Sequence, residues 1–307
     1  MGAAWACGST APIPPSTSVP FPAMPTATVL AARFLYATDD LPLEVQSEAQ
    51  AWAESHDLAF TVGPAAEITP ARIGDGLAFV VSLHGAEWAT DPAFDEAGVR
   101  GVAVDPSAPA PSRLVSGIAA SRETWGEAGF LAGVLAGHIG DSRAVGMVAG
   151  SGDTEQADAL ADGFDQGLRY ACPRCLEVQQ GTASLDMGEF LHEGVEVVFV
   201  APSDEAVEAA QAAADAGLWV VWVGEPPLDV PGDRLAASVR LDSAALLSPA
   251  LDALAAGEDG VTWPYSTRSG SLMIGDVRSE AISPGKQRLV QQAWDKLAGG
   301  ELQLEGP

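Results

Sequence analysis

The sequence is poor in positive charge: 15 Lys+Arg stand against 42 Asp+Glu, giving a formal net charge of −27 at pH 7 and a pI near 4.2. Such a chain cannot assemble the phosphate-neutralising surface that nucleic acid requires, so nucleic acid is excluded as a partner. The same field disfavours polyanionic ligands except where a local cluster reverses it. Lysine is nearly missing: Lys286 and Lys296 both lie in the last stretch, away from any glycine-rich turn. The pattern G-x-x-x-x-G-K-[ST] is absent, as are G-x-S-x-G and H-E-x-x-H, so the sequence carries no P-loop, α/β-hydrolase or zinc-protease signature and reads as a non-enzyme. The histidines, at 56, 84, 138 and 192, lack the spacing of metal ligands, and no metal or other cofactor is expected. No stretch reaches the ~18 consecutive apolar residues of a membrane span.

Cysteine is scarce too, with Cys7, Cys172 and Cys175 only. A single C-x-x-C with no second pair and no nearby histidine pair cannot complete a tetrahedral zinc site. The pair follows a predicted helix and precedes a predicted strand, the reverse of the thioredoxin-like order. In an oxidising compartment we expect a small disulfide closing that turn; free buried thiols are the alternative. Cys7 stands in Ala4-Trp5-Ala6-Cys7-Gly8-Ser9, which looks like a lipobox whose cysteine would be lipidated. Six residues precede it, too few for the charged and apolar regions of a signal peptide, so either the true start lies upstream or the likeness is accidental. The Pro/Ser/Thr-rich run from Thr10 to Pro25 is the tether a lipid-anchored domain needs and favours the first.

What the chain does have is a regular alternation of strand and helix. Strands are predicted at 27–36, 58–62, 77–83, 99–105, 143–148, 175–180, 195–200, 218–223, 234–242 and 272–276. Helices are predicted at 43–56, 123–136, 153–170, 186–192, 204–216, 243–256 and 284–298. This is the pattern of parallel sheets with helices on both faces. In helix 43–56, Val45, Ala49, Trp52 and Ala53 share one side while Glu44, Glu48 and Glu54 lie elsewhere, as in an amphipathic surface helix. The last helix is bracketed by Ser283, Pro284 and the exit pair Gly299-Gly300.

The organising stretch runs from Glu123 to Gly150. Gly126, Ala128, Gly129, Ala132, Gly133 and Ala136 leave little bulk on one helix face, so its backbone can approach a neighbour closely. Phe130-Leu131-Ala132-Gly133-Val134-Leu135-Ala136, then Val145-Gly146-Met147-Val148-Ala149-Gly150, then Gly163-Phe164-Asp165-Gln166-Gly167 follow in order. Together these blocks resemble the signature of the basic membrane protein family of substrate-binding lipoproteins, which includes purine nucleoside receptors of ABC importers. More weakly, the resemblance spans about Gly74 to the C-terminus. One departure falls after the first strand, where the family carries an acidic loop with Ser-Phe-Asn-Gln and this chain has Thr38-Asp39-Asp40-Leu41-Pro42.

The resemblance implies a type I periplasmic-binding-protein fold: two doubly wound parallel-sheet lobes with a hinge and an interlobe cleft. Residues 1–26 are read as the lipobox-like start and tether, 27–112 with 241–283 as lobe 1, 113–240 as lobe 2, and 284–307 as the C-terminal helix and closing segment. It also implies an extracytoplasmic, lipid-anchored protein that captures a small solute, such as a nucleoside, and hands it to an ABC permease. A solute sensor on the same fold, reporting to a signalling partner, is the alternative. The cleft candidates lie past strand ends or at lobe crossovers: His84, Trp88, Asp105, Trp125, Ser151, Ser203, Asp204, Trp222, Glu225 and Arg240. A tryptophan offers a ring for a planar base to stack on, and a carboxylate accepts hydrogen bonds from sugar hydroxyls. By resemblance, Asp105, Trp125, Glu225 and Arg240 stand near family ligand contacts. Plainer readings stand beside these: at least one of Trp219 and Trp222 in the core, His84 as a polar strand-end residue, Asp105 starting a turn before Pro106, and Trp125 packing its own helix.

Overall fold

The computed structural model describes residues 33–105, 114–139, 143–150, 155–226, 230–258 and 260–304. Cys7, the tether, most of the predicted 27–36 strand, Ser151 and Asp153 therefore lie outside the described residues.

The first sheet is built from β1 (Phe34–Thr38), β2 (Ala59–Gly63), β3 (Leu77–Leu83), β4 (Arg100–Val104) and β5 (Val115–Ala119). Between them lie α1 (Leu43–Ser55), α2 (Pro70–Gly74) and α3 (Pro92–Ala97). The chain then leaves through α4 (Arg122–His138) to a second sheet of β6 (Ala144–Ala149), β7 (Leu176–Gly181), β8 (Val195–Val200), β9 (Trp219–Val223) and β10 (Leu235–Leu241), linked by α5 (Glu155–Ala171), α6 (Met187–His192) and α7 (Ala206–Asp215). It returns through α8 (Ala244–Ala256) to β11 (Thr262–Pro264), then crosses once more to β12 (Leu272–Val277) and α9 (Pro284–Ala298). The strand orders are β11-β5-β4-β3-β1-β2 and β12-β10-β9-β8-β6-β7. Every pairing is parallel except β10 with β12. Central strands such as β3 and β8 read as nearly unbroken apolar runs because both of their faces are covered by helices.

Two strands correct the sequence reading of the lobes. Val115–Ala119, assigned to lobe 2 from the sequence, pairs with β4 in the first sheet. Leu272–Val277, assigned to lobe 1, pairs with β10 in the second, and β11 was not predicted. Helix α9 packs on the second core, through Val290, Ala293 and Leu297. The lobes are thus joined by three crossings, at residues 120–121, 242–243 and 265–271.

The signature stretch forms the tightest contact in the second lobe. Helix α4 begins with a reciprocal cap, in which the Ser121 hydroxyl accepts from the Thr124 amide at 3.2 Å and the Thr124 hydroxyl accepts from the Ser121 amide at 3.0 Å. Its glycine face then meets that of α5. A methyl group on Gly129 would overlap the Leu160 carbonyl oxygen, and one on Gly163 would overlap the Gly126 carbonyl oxygen. Gly133 and Gly167 meet the carbonyls of Phe164 and Phe130 in the same way. The two glycine blocks recognised in the sequence are therefore the two halves of one backbone-to-backbone contact. At the far end of α5, Cys172 and Cys175 are joined in a disulfide that closes the turn into β7. Among the described residues, no helix is long and apolar enough to cross a membrane.

Overpacking a close contact of this kind costs about 1–3 kcal/mol or more. We expect Gly129→Ala and Gly163→Ala each to lose about that much stability in urea unfolding. Gly285→Ala in α9, where nothing lies within 4 Å of the added methyl, should be neutral or slightly stabilising. Equal behaviour of all three variants would contradict the contact.

Candidate functional site

All three crossings leave their sheets from the carboxyl ends of parallel strands: β5, β10 and β11. Both sheets therefore bring their carboxyl edges to the hinge, and the cleft between them is bordered by the loops that follow each strand. In open α/β sheets this is the edge where ligands bind.

On the first-lobe rim, His84 follows β3 and Asp105 follows β4. Both adopt the left-handed backbone conformation without being glycine, with φ of 58° and 47°. That conformation costs an L-residue roughly 1–2 kcal/mol, and non-glycine residues held in it cluster at functional sites. The neighbouring backbone holds them there. The His84 amide donates to the Val104 carbonyl at 2.9 Å, and the Asp105 amide donates to the Ile118 carbonyl at 2.8 Å. His84 Nδ1 lies 3.0 Å from the Asp105 carbonyl oxygen, which fixes Nδ1 as the donor.

Asp105 is exposed as a residue, yet its carboxyl meets the buried Tyr265, whose hydroxyl donates to Oδ1 at 2.7 Å. Loss of hydration in this crowded corner raises the Asp105 pKa, while the bond from Tyr265 and the nearby His84 act to lower it. Ser243 Oγ lies 2.8 Å from the Tyr265 hydroxyl. Because the single Tyr265 proton goes to Asp105, Ser243 is the donor in that pair. The tyrosine's carbonyl accepts from the Thr124 hydroxyl at 2.7 Å. Further along the same crossing, Glu127 of α4 accepts from the Thr267 amide at 2.7 Å and its hydroxyl at 3.0 Å. Tyr265 was not among the residues picked from sequence, where nothing local marks a lone tyrosine 160 positions from its partner.

On the second-lobe rim, Ser203 follows β8 and Thr182 follows β7. Their hydroxyls are buried and have no hydrogen-bond partner. A buried hydroxyl left unpaired costs about 1–3 kcal/mol, which singles these two positions out on the rim. Asp204 is exposed beside Ser203. Trp125, in the first turn of α4, is half-buried against the second core, and its indole N–H is likewise without a partner.

Of the other sequence candidates, Trp222, Glu225 and Arg240 have polar partners, whereas Trp88 lines a cavity beside His84 with its indole N–H buried and unpartnered. Trp222 is 7% exposed, lies in the second lobe's core, and donates its indole N–H to the Glu225 carbonyl at 3.0 Å. Trp88 packs edge-on to Phe94 and over Gly101, against the face of the first sheet. Glu225 and Arg240 form an ion pair at 2.9 Å. They thus neutralise each other at the end of β9 and β10.

Two cavities lie near this rim. One of about 480 Å3 is lined by Ser82, Leu83, Gly85 and Trp88 beside His84. Another, of about 420 Å3, sits on the flank of the second lobe, where α4 and α5 face Arg268 of the third crossing and Leu302 and Leu304 of the closing segment. Helix flanks, not strand ends, wall the second, and none of the sequence candidates lines it. The strand-end rim therefore remains the candidate site.

No protein-family model matches the chain, and no curated protein matches it either. Among solved structures, it is similar to an ABC transporter solute-binding protein from Conexibacter woesei, at TM-score 0.61 and 17% identity, covering 90% of this chain and 99% of that one. It is also similar to a transcriptional activator of the comK gene from Bacillus halodurans, at TM-score 0.63 and 12% identity, covering 88% and 99%. A third likeness is to a periplasmic solute-binding protein from Actinobacillus succinogenes with bound D-allose, at TM-score 0.50 and 13% identity, covering 80% and 97%. With two parallel-sheet lobes joined by three crossings, the chain has the type I periplasmic-binding-protein fold.

The strained backbone at β3 can be checked without any ligand. His84→Gly should change the unfolding free energy by less than about 0.5 kcal/mol, because glycine accepts the left-handed conformation freely. His84→Val, with a branched side chain there, should lose about 1–2 kcal/mol more. Equal stability of the two variants would count against strain at this strand end.

Proposed function

We propose that the protein is an extracytoplasmic solute-binding protein that captures a small polar solute between its lobes and presents it to an ABC permease. The observation that carries this reading is Asp105: a carboxylate held in a strained conformation at a strand end, with Oδ1 bonded by the Tyr265 hydroxyl. Such a group accepts hydrogen bonds from vicinal hydroxyls, as on a ribose or hexose. Across the cleft, Ser203, Thr182 and Trp125 bring uncharged donors without partners. The solute this combination favours is neutral and hydroxyl-rich. Nucleosides stand first, because the signature blocks resemble the basic membrane protein family and Trp125 supplies an aromatic face; free sugars stand second. Lipid anchoring through Cys7 belongs to the same proposal. So does the division of the chain into a tether (1–26), two lobes and a closing segment, with residues 114–119 moved to lobe 1 and 272–283 to lobe 2.

A sensor is the second reading, and the likeness to a transcriptional activator favours it. Both readings place solute in the same cleft and differ in the partner. A permease gene beside this one supports import, and a histidine kinase or regulator gene supports sensing.

A solute that binds only the folded form stabilises it by about 2.7 kcal/mol at a hundredfold excess over its dissociation constant. In a thermal-shift screen of nucleosides, sugars and small amino compounds, we expect at least one nucleoside or sugar to raise the melting temperature by several degrees. Asp105→Asn keeps an acceptor for Tyr265 and should remove the shift with little change in the unliganded melting temperature. Trp125→Ala should also lose the shift; loss of folding would instead assign Trp125 to packing. No shift with any class, in protein first stripped of bound ligand, would overturn the solute reading.

A further inference from the structure

We infer that Tyr265 is the positioning residue of the cleft, holding the Asp105 carboxylate in place for solute and fastening it to the hinge between the lobes. The inference rests on the reading of Asp105 as a solute contact. Tyr265 is 1% exposed and packs in the first lobe's core beside Leu246, Leu247 and Ile118. Phenylalanine fills that space equally well, so the hydroxyl is not there for packing. Burying a phenol is unfavourable unless its hydrogen bonds are made, and here each is directed at a functional element.

The hydroxyl accepts from Ser243 on the second crossing and donates to Asp105 at the rim, and the carbonyl of the same residue accepts from Thr124 just beyond the first crossing. Tyr265 itself opens the third crossing. A single residue therefore links the second crossing, the first turn of α4 and the third crossing to the acidic side chain that the fold strains into the rim. Because Oδ1 is held, the carboxylate cannot rotate freely, and its second oxygen keeps one direction. A solute that pulls on that oxygen pulls on the hinge.

The groups facing Asp105 that titrate are His84 at the end of β3 and Tyr265; Asp242, on the second crossing, acts on Tyr265 and raises its pKa along with burial and Asp105 itself. Burial raises the Asp105 pKa and the Tyr265 bond opposes that rise. Removing the hydroxyl therefore leaves the carboxyl easier to protonate. A solute hydroxyl donates to the ionised form, so affinity is lost as the pH falls through the Asp105 pKa. In Tyr265→Phe that loss must begin at a higher pH.

The test uses the full chain, with inosine, adenosine and D-ribose as probes in titration calorimetry from pH 4.5 to 8. Carboxyl-carbon NMR follows the Asp105 pKa, assigned with Asp105→Asn. We expect Tyr265→Phe to keep the wild-type circular dichroism, to bind the probe about tenfold more weakly, to show a raised Asp105 pKa, and to lose affinity at a higher pH. Ser243→Ala, which removes the donor behind Tyr265 without touching Asp105, should move the same readouts less far, and it serves as the test should Tyr265→Phe fail to fold. Unchanged affinity, carboxyl pKa and pH profile in both variants would overturn the inference while leaving the solute reading intact. If wild-type protein binds none of the probes but the carboxyl pKa still shifts, the solute reading is the part that fails, and Tyr265 is left as a hinge tie alone.

Discussion

The hydrogen-bond chain from Ser243 through Tyr265 to Asp105 is the constraint on which the rest of the cleft depends. A two-lobed α/β chain must cross between its sheets at least once, and this one crosses three times. Such crossings are loops, and loops are free to drift unless their polar groups are tied. Here one buried tyrosine ties them, with 2.7 Å and 2.8 Å bonds on its hydroxyl and a 2.7 Å bond on its carbonyl. Glu127 adds a second clasp on Thr267. The hinge is thus defined by specific bonds where the chain could otherwise be slack, while the lobes on either side remain separate cores.

Rigidity within the second lobe comes from a different source. Helices α4 and α5 meet through glycines, so their backbones touch with no side chains between them. Close contact of this sort has two consequences: it leaves no room for adjustment, and it fixes the start of α4, where Thr124 and Glu127 bond to the third crossing. The sequence motif that suggested a binding-protein family therefore earns its place structurally. It packs α4 against α5 and so builds the rigid part of the second lobe.

Much of the fold was legible because its signals are local. Parallel strands buried on both faces write themselves as apolar runs, and the glycine-rich α4 announces a close-packed helix. Two strands were missed for reasons equally physical. Val115–Ala119 follows a Pro- and Ser-rich stretch that reads as linker, and Thr262–Pro264 is three residues long and is a strand only because β5 lies beside it. That omission displaced the lobe boundaries, since β5 and β12 each went to the wrong sheet. The candidate site divided along the same line. His84, Asp105 and Ser203 could be placed on the rim because strand ends can be counted. Tyr265 was not picked, because its bonded partner Asp105 lies 160 residues away. Trp222, Glu225 and Arg240 stand at strand ends as counted, but a core packing and an ion pair occupy them, and neither can be seen in spacing.

The central claim is that solute binds at the carboxyl edges of the two sheets and draws the lobes together there. A crystal structure of the protein with a solute that stabilises it tests this most directly. The account predicts solute between the Asp105 carboxylate and the Ser203 lip, with the two sheets closer than in the unliganded protein. Solute seated instead in the cavity beside Leu302 and Leu304, with the Asp105 rim empty and the lobes unmoved, would contradict it.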